Sequence, residues 1–108
     1  MADFSIKRND LKPALVCILK DVNGVVNLTT ASTVRFHMRR TSASTYKISA
    51  LGSIVDAAAG KVQYTWTSGD TDTAGEYYAE WEVRWIDGKE TTFPNTGYFT
   101  VHIFPDID

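Results

Sequence analysis

The most constraining feature of the sequence is an alternation of apolar and polar residues between Lys61 and Trp85. Successive side chains of a β-strand point to opposite faces, so a period of two is typical of a strand with one buried face. A helix would scatter the same apolar residues around its surface. We therefore predict two core strands joined by a polar loop, with inward-facing residues Val62, Tyr64, Trp66, Tyr77, Ala79, Trp81, Val83 and Trp85.

Length and composition are those of one ordinary globular domain. The chain has 108 residues, of which 44% are hydrophobic and 22% charged, as expected of a domain with a packed core. Eleven Lys and Arg against thirteen Asp and Glu give a net charge of −2, which argues against a nucleic-acid partner. No stretch has the length and apolarity of a membrane span, and the N-terminus lacks a signal-peptide pattern. We expect a single domain over residues 1–108, with neither nucleic acid nor membrane as a partner.

Turn signals recur along the chain at intervals of about ten residues, which is typical of an all-β sandwich. Asn23-Gly24 and Asp87-Gly88 predict β-hairpins, because these residues tolerate positive φ. The stretch Ala14–Lys20 is apolar on both faces, which predicts a strand buried on both sides or a short helix. The expected fold is an antiparallel β-sandwich of about seven to nine short strands.

The start of the second core strand resembles the corner that leads into strand F of immunoglobulin-like domains. There a tyrosine returns its hydroxyl to nearby backbone, and Tyr77 is the candidate here. Ala79 stands where antibody domains have their second cysteine, and Cys17 stands near the position of the first. Because Cys17 is the only cysteine, the fold has no internal disulfide. The expected structural core includes Cys17, Phe36, Trp66, Tyr77 and Trp81.

Charged residues alternate along the stretch Thr33–Arg39 and along the second core strand. The first stretch is expected to direct Arg35, His37 and Arg39 outward. Three readings stay open: a solvated face, cross-strand charge pairing within one sheet, or docking on an acidic partner or a second copy. The candidate interface residues are Arg35, His37, Arg39, Arg40, Tyr78, Glu80 and Glu82.

The sequence contains no recognisable catalytic or metal-binding motif. Asp70, Asp72 and Glu76 are close in sequence but lack the order of a calcium loop, and turn-forming roles explain them as well. Neither His37 nor His102 is paired in sequence with a nucleophile or an orienting acid. We therefore expect a protein that is not an enzyme, with no cofactor and no metal.

The whole chain also resembles a family of phage virion domains. Its first half carries the family-like positions Asp10, Pro13, Leu15, Leu19, Asp21, Gly24, Leu28, Thr29, Ala31, Val34 and Phe36. Its second half carries Asp56, Gly60, Tyr64, Trp66, Asp70, Thr71, Gly75, Tyr77, Glu80, Glu82, Asp87, Gly88, Phe93 and Pro94. The chain is similar to the N-terminal domain of phage baseplate upper proteins and to small immunoglobulin-like phage virion proteins.

This resemblance implies a non-enzymatic virion structural protein, in the tail, baseplate or tail tip, that acts as an assembly or attachment module. Its partners would be other phage virion proteins, with a homo-oligomer as a further possibility. Its place would be the virion, after synthesis in the bacterial host cytoplasm. The alternatives are a capsid decoration or head–tail accessory protein and, from another class, a carbohydrate- or receptor-binding module.

Overall fold

A computed structural model describes residues 3–95 and 97–106, and they form an all-β structure. Within these ranges no helix is long and apolar enough to cross a membrane. The strands are β1 (Phe4–Lys7), β2 (Leu15–Ile18), β3 (Lys20–Asp21), β4 (Gly24–Val25), β5 (Ala31–Arg40), β6 (Ile48–Leu51), β7 (Ser53–Asp56), β8 (Lys61–Tyr64), β9 (Gly75–Trp85), β10 (Glu90–Phe93) and β11 (Phe99–Phe104).

Strand β9 is the centre of the larger sheet. It pairs along one edge with β5, and along the other with β11 in its first half and β10 in its second half. The strand order is β1-β11-β9-β5-β6, with β10 beside β9. The smaller sheet has the order β2-β8-β7, and β3 and β4 form a separate hairpin.

The two sheets pack face to face through an aromatic cluster. Phe36 on β5 stacks on Tyr64 of β8 with 4.8 Å between ring centroids, and meets Trp66 edge-on at 6.0 Å. Trp81 on β9 is fully buried, and its ring centroid lies 5.2 Å from that of Phe36. Aromatic pairs of this kind stabilise a core beyond their buried area. These contacts make the fold a β-sandwich.

Gly52 is the point at which the chain crosses from one sheet to the other. Its N–H donates to the carbonyl of Val34 in the larger sheet, and the next residue, Ser53, pairs with Gln63 in the smaller one. A Cβ at Gly52 would lie 2.5 Å from Cζ3 of Trp81 and 2.9 Å from the carbonyl oxygen of Gln63. Only glycine therefore fits this crossing without displacing the central tryptophan or the backbone.

Several sequence expectations need correction. The sandwich is not purely antiparallel, because β1 pairs in parallel with β11, and the described residues form eleven strands rather than seven to nine. Strand β2 is not buried on both faces: Leu15 and Cys17 are buried, while Val16 and Ile18 are exposed, because β2 lies at the edge of a sheet whose other face is open.

The described residues contain no disulfide, and Cys17 is a buried free thiol whose pKa is raised by burial.

The phenol of Tyr77 closes the corner before β9. Its hydroxyl donates to the carbonyl oxygen of Thr73 at 2.6 Å, and the ring is almost completely buried. Burial also raises the pKa of this phenol, because the ionised form is poorly solvated there. The bond satisfies a polar group that would otherwise be buried without a partner.

We predict that Gly52→Ala destabilises the protein by about 1–3 kcal/mol, because the added methyl overpacks the space above Trp81. Without a clash, the same change would stabilise by about 0.4–1 kcal/mol through the unfolded chain. Urea denaturation gives the sign of the change in the free energy of unfolding, and that sign shows whether the added methyl group clashes with its surroundings. The neighbouring exposed Ser53→Ala is the control, expected within about 0.5 kcal/mol of wild type.

We predict that Tyr77→Phe lowers the free energy of unfolding by about 1 kcal/mol, because it removes one buried hydrogen bond and little apolar area. Thermal and urea denaturation measure the change. Tyr46→Phe is the control, since Tyr46 is about half exposed. If the two variants were equally stable, the Tyr77 hydroxyl would make no net contribution.

Candidate protein-binding surface

The outer face of the larger sheet brings four of the predicted interface residues together. The register of β5 against β9 sets His37 opposite Glu80 and Arg39 opposite Tyr78. These side chains line a depression of about 230 Å³, which we call the tyrosine groove. Its lining residues are His37, Arg39, Ser44, Tyr46, Tyr78, Ala79, Glu80 and Tyr98.

One wall of the tyrosine groove is a cation–aromatic stack. The rings of Tyr78 and Tyr98 lie with their centroids 3.7 Å apart, and Cζ of Arg39 lies 5.3 Å from the Tyr78 centroid. Arg39 also donates through one guanidinium nitrogen to the carbonyl of Ala43 at 2.8 Å. The other guanidinium donors are left for solvent or a ligand, since a guanidinium has five N–H groups. Guanidinium–ring attraction stabilises this position of the Arg39 side chain over the Tyr78 ring.

The opposite wall is formed by Tyr46, whose ring stacks on His37 with 4.6 Å between centroids. His37 was expected to point outward from the sheet, and only 8% of it is exposed. The reason is the segment 41–47, which folds back over β5 and covers the imidazole. Nε2 of His37 lies 3.8 Å from a carboxylate oxygen of Glu82, and Nδ1 has no hydrogen-bond partner among the described residues.

Glu80 supplies the negative charge of the tyrosine groove. It is partly exposed and makes no hydrogen bond or ion pair with another described residue. Its backbone lies opposite that of His37, whose imidazole is covered by Tyr46. The groove thus presents the carboxylate of Glu80 and the guanidinium of Arg39 on one surface, from the neighbouring strands β9 and β5.

The remaining predicted interface residues lie outside the groove. Arg35 stands opposite Glu82 in the register and donates to the carbonyl of Ser49 at 3.1 Å. Arg40 covers Gly75 at the other end of β5 and donates to the carbonyl of Ala74 at 3.2 Å. A carboxylate oxygen of Glu82 lies 3.8 Å from Nε2 of His37. Arg35 and Glu82 therefore place opposite charges across from each other within one sheet.

The sequence analysis missed Ser44, Tyr46 and Tyr98 as groove residues. Tyr98 could have been found, because Phe99 and Val101 are buried and alternation places residue 98 on the outer face with Thr100. Tyr46 and Ser44 had no such signal, since their segment has no regular period. Its position depends on contacts made in three dimensions, such as the bond from Arg39 to Ala43.

The acidic loop before β9 has a structural role. One carboxylate oxygen of Asp70 accepts hydrogen bonds from the Tyr64 hydroxyl at 2.6 Å and from the N–H of Thr67 at 2.8 Å. Asp72 pairs with Lys47, which lowers the pKa of the carboxyl. Across residues 3–95 and 97–106, no three His, Cys, Asp or Glu side chains gather where they could hold a metal ion. Asp70 thus holds the turn at Thr67, whereas Asp72 pairs with Lys47 and Glu76 lies 3.6 Å from His102.

Comparison with known proteins gives a likeness of fold. No family model matches the chain, and no curated protein matches it. A solved structure that resembles it is CopC from Methylosinus trichosporium OB3b, with a TM-score of 0.60 and 7% sequence identity, over 100% of this chain and 89% of CopC. The likeness supports the β-sandwich.

This finding overturns the function drawn from the phage resemblance. The similar structure is CopC, which is not a virion component. The expectation of a tail, baseplate or tail-tip protein is therefore wrong, and so are the alternative of a capsid or head–tail protein and the virion location. The family resemblance itself stays a prediction, as do the single domain and the absence of nucleic-acid and membrane partners.

The stacked pair Tyr78–Tyr98 gives a prediction for alkaline pH. The pKa of Tyr78 is raised, chiefly by its side-chain pairing with Tyr98 and then by repulsion between the two ionised phenols. A raised pKa means that the neutral phenol is favoured in the folded state. The associated stability is therefore present below the unfolded value of about 10 and is lost as the pH rises through the folded pKa.

We expect Tyr98→Phe to move the pKa of Tyr78 down toward its ordinary value. An NMR titration of ring-labelled tyrosine measures this directly. Tyr46→Phe, on the opposite wall of the groove, should leave the Tyr78 pKa unchanged. An unchanged Tyr78 titration in the Tyr98 variant would mean that the two phenols do not interact in solution.

Proposed function

We propose that this chain is a non-enzymatic recognition domain, an immunoglobulin-like β-sandwich that binds a protein partner through the tyrosine groove. The observation that carries the proposal is the stack of Tyr98, Tyr78 and Arg39 on the outer face of the larger sheet. Tyrosine and arginine are enriched at the centres of protein interfaces and among the residues that dominate binding energy. The Tyr77 corner supports the immunoglobulin-like assignment.

The groove is suited to recognition because its walls are fixed before binding. Arg39 lies across a ring and is tied to Ala43, and Tyr46 lies across His37. Side chains that are already ordered lose less conformational entropy when a partner docks. The groove is shallow and polar rather than a deep apolar cavity, which favours a protein or peptide surface over a drug-sized molecule.

The charges of the groove define the chemistry of the partner. Arg39 has guanidinium donors to offer a carboxylate, and Glu80 can accept from a Lys, Arg or hydroxyl group. We infer that the partner segment carries an acidic residue and a donor side chain close together.

Binding through the groove can be tested with partners selected for the purpose. Peptides selected on the immobilised domain from a yeast-displayed random library would be titrated against wild type, Arg39→Ala and Tyr98→Ala. We expect at least about ten-fold weaker binding to both groove variants, as for interface residues that dominate affinity. Arg84→Ala is the matched control, since Arg84 lies exposed on the same sheet face outside the groove and pairs with Glu90.

A separate variant, Glu80→Lys, tests whether the carboxylate of the groove binds a basic group of the peptide. Peptides that carry Lys or Arg should lose affinity for Glu80→Lys more than peptides that lack both. If most selected peptides bound the groove variants as well as wild type, or lost as much affinity on Arg84→Ala, the tyrosine groove would not be the recognition surface. Circular dichroism of every variant establishes that the fold is retained.

A further inference from the structure

We propose that two copies of this chain associate by antiparallel pairing of their β2 strands, so that the smaller sheets of both copies join into one. The proposal concerns the opposite sheet from the tyrosine groove and does not depend on it. Strand β2 is an edge strand, and within residues 3–95 and 97–106 it pairs only with β8. On its outer face Val16 is 45% exposed and Ile18 is 44% exposed. Natural β-sheet proteins usually avoid exposed aliphatic residues on their edge strands.

The backbone of β2 has unpaired groups at two defined residues. Leu19 N–H donates to the carbonyl of Gly60 at 2.8 Å, and Leu19 continues the register in which Ile18 stands opposite Lys61. Antiparallel ladders alternate, so Cys17 also bonds toward β8 while Val16 and Ile18 do not. The N–H and C=O groups of Val16 and Ile18 therefore point away from β8, toward the open edge.

Val16 and Ile18 of one copy can pair with the same two residues of a second copy. An antiparallel pair centred on Cys17 sets Val16 of one copy opposite Ile18 of the other, and Ile18 opposite Val16. Each pair then exchanges two backbone hydrogen bonds, and the aliphatic side chains meet across the strands on one face. A two-fold axis generates both pairs from one contact, as in isologous dimers.

The charges that flank β2 favour this register over its neighbours. With Cys17 at the centre, Lys20 stands opposite Ala14 of the second copy. A shift of two residues in one direction would set Lys20 opposite Lys12, which like-charge repulsion disfavours. A shift in the other direction would set Lys20 opposite Val16 and keep one aliphatic pair, Ile18 with Ile18. The central register thus combines two aliphatic pairs with the absence of charge repulsion.

The surroundings of the two edges of the smaller sheet differ. The register of β7, the other edge, is interrupted between Ile54 and Asp56, and such irregularities hinder edge-to-edge pairing. Strand β2 pairs without interruption. A groove of about 460 Å³ is lined by β2 together with Asp3, Phe4, Pro94 and Asn95.

Sedimentation equilibrium of the purified chain over a range of concentrations tests the proposal. A contact this short buries less area than a standard interface, so we expect a dissociation constant on the order of 100 µM. Val16→Lys and Ile18→Glu should each weaken dimerisation at least about ten-fold, because each buries an unpaired charge. Val55→Lys is the matched control, since Val55 is 50% exposed and lies on β7 of the same sheet.

Mixing the two weakened variants tests the register itself. In the mixture, Lys at position 16 of one chain faces Glu at position 18 of the other, while the second pair remains Ile18 with Val16. We expect the mixture to form a heterodimer that neither variant forms alone. A wild-type chain that stays monomeric up to about 1 mM overturns the proposal, as does a dimer insensitive to Val16→Lys. A mixture that fails to associate overturns the register.

Discussion

The packing of Trp81 is the interaction on which the rest of the structure depends. On β9 it stands opposite Phe36 of β5 on one side and Phe93 of β10 on the other, so three aromatic residues cross the larger sheet in one row. Its ring also lies against Gly52, the residue at which the chain crosses from the larger sheet to the smaller one. The central tryptophan, the aromatic row and the crossing glycine therefore require one another. A larger residue at any of these sites would compete for space that is already filled.

The position of the tyrosine groove follows from this core. Because side chains alternate along a strand, the inward positions of Ala79 and Trp81 fix Tyr78 and Glu80 on the outer face. A slip of one residue between β5 and β9 would bury the charges and expose the aromatic row. The same pairing sets Arg39 beside Tyr78. The recognition surface that we propose is thus a consequence of how the core is packed, and the segment 41–47 adds Tyr46 to it.

The fold was more accessible from the sequence than the groove was. Alternation in a strand as long as β9 predicts which residues are buried, because apolar and polar positions there follow strictly in turn, and Tyr77, Trp81 and Phe36 are buried in the structure. Alternation does not reveal which loop covers which strand. The pattern predicted that His37 points outward, but it could not show that Tyr46 covers this side chain. Nor could it reveal that Val16 and Ile18 face outward, since an apolar run on an edge strand looks like a doubly buried one.

Residue-resolved amide hydrogen exchange by NMR tests this account of the strand pairing most directly. Central amides of β9 should be among the slowest to exchange, because both edges of the strand are paired. In dilute protein, the amide of Cys17 should be protected while those of Val16 and Ile18 exchange quickly. Amides of β9 that exchange as fast as those of exposed turns, or uniform protection along β2 in dilute protein, would contradict the arrangement of sheets described here.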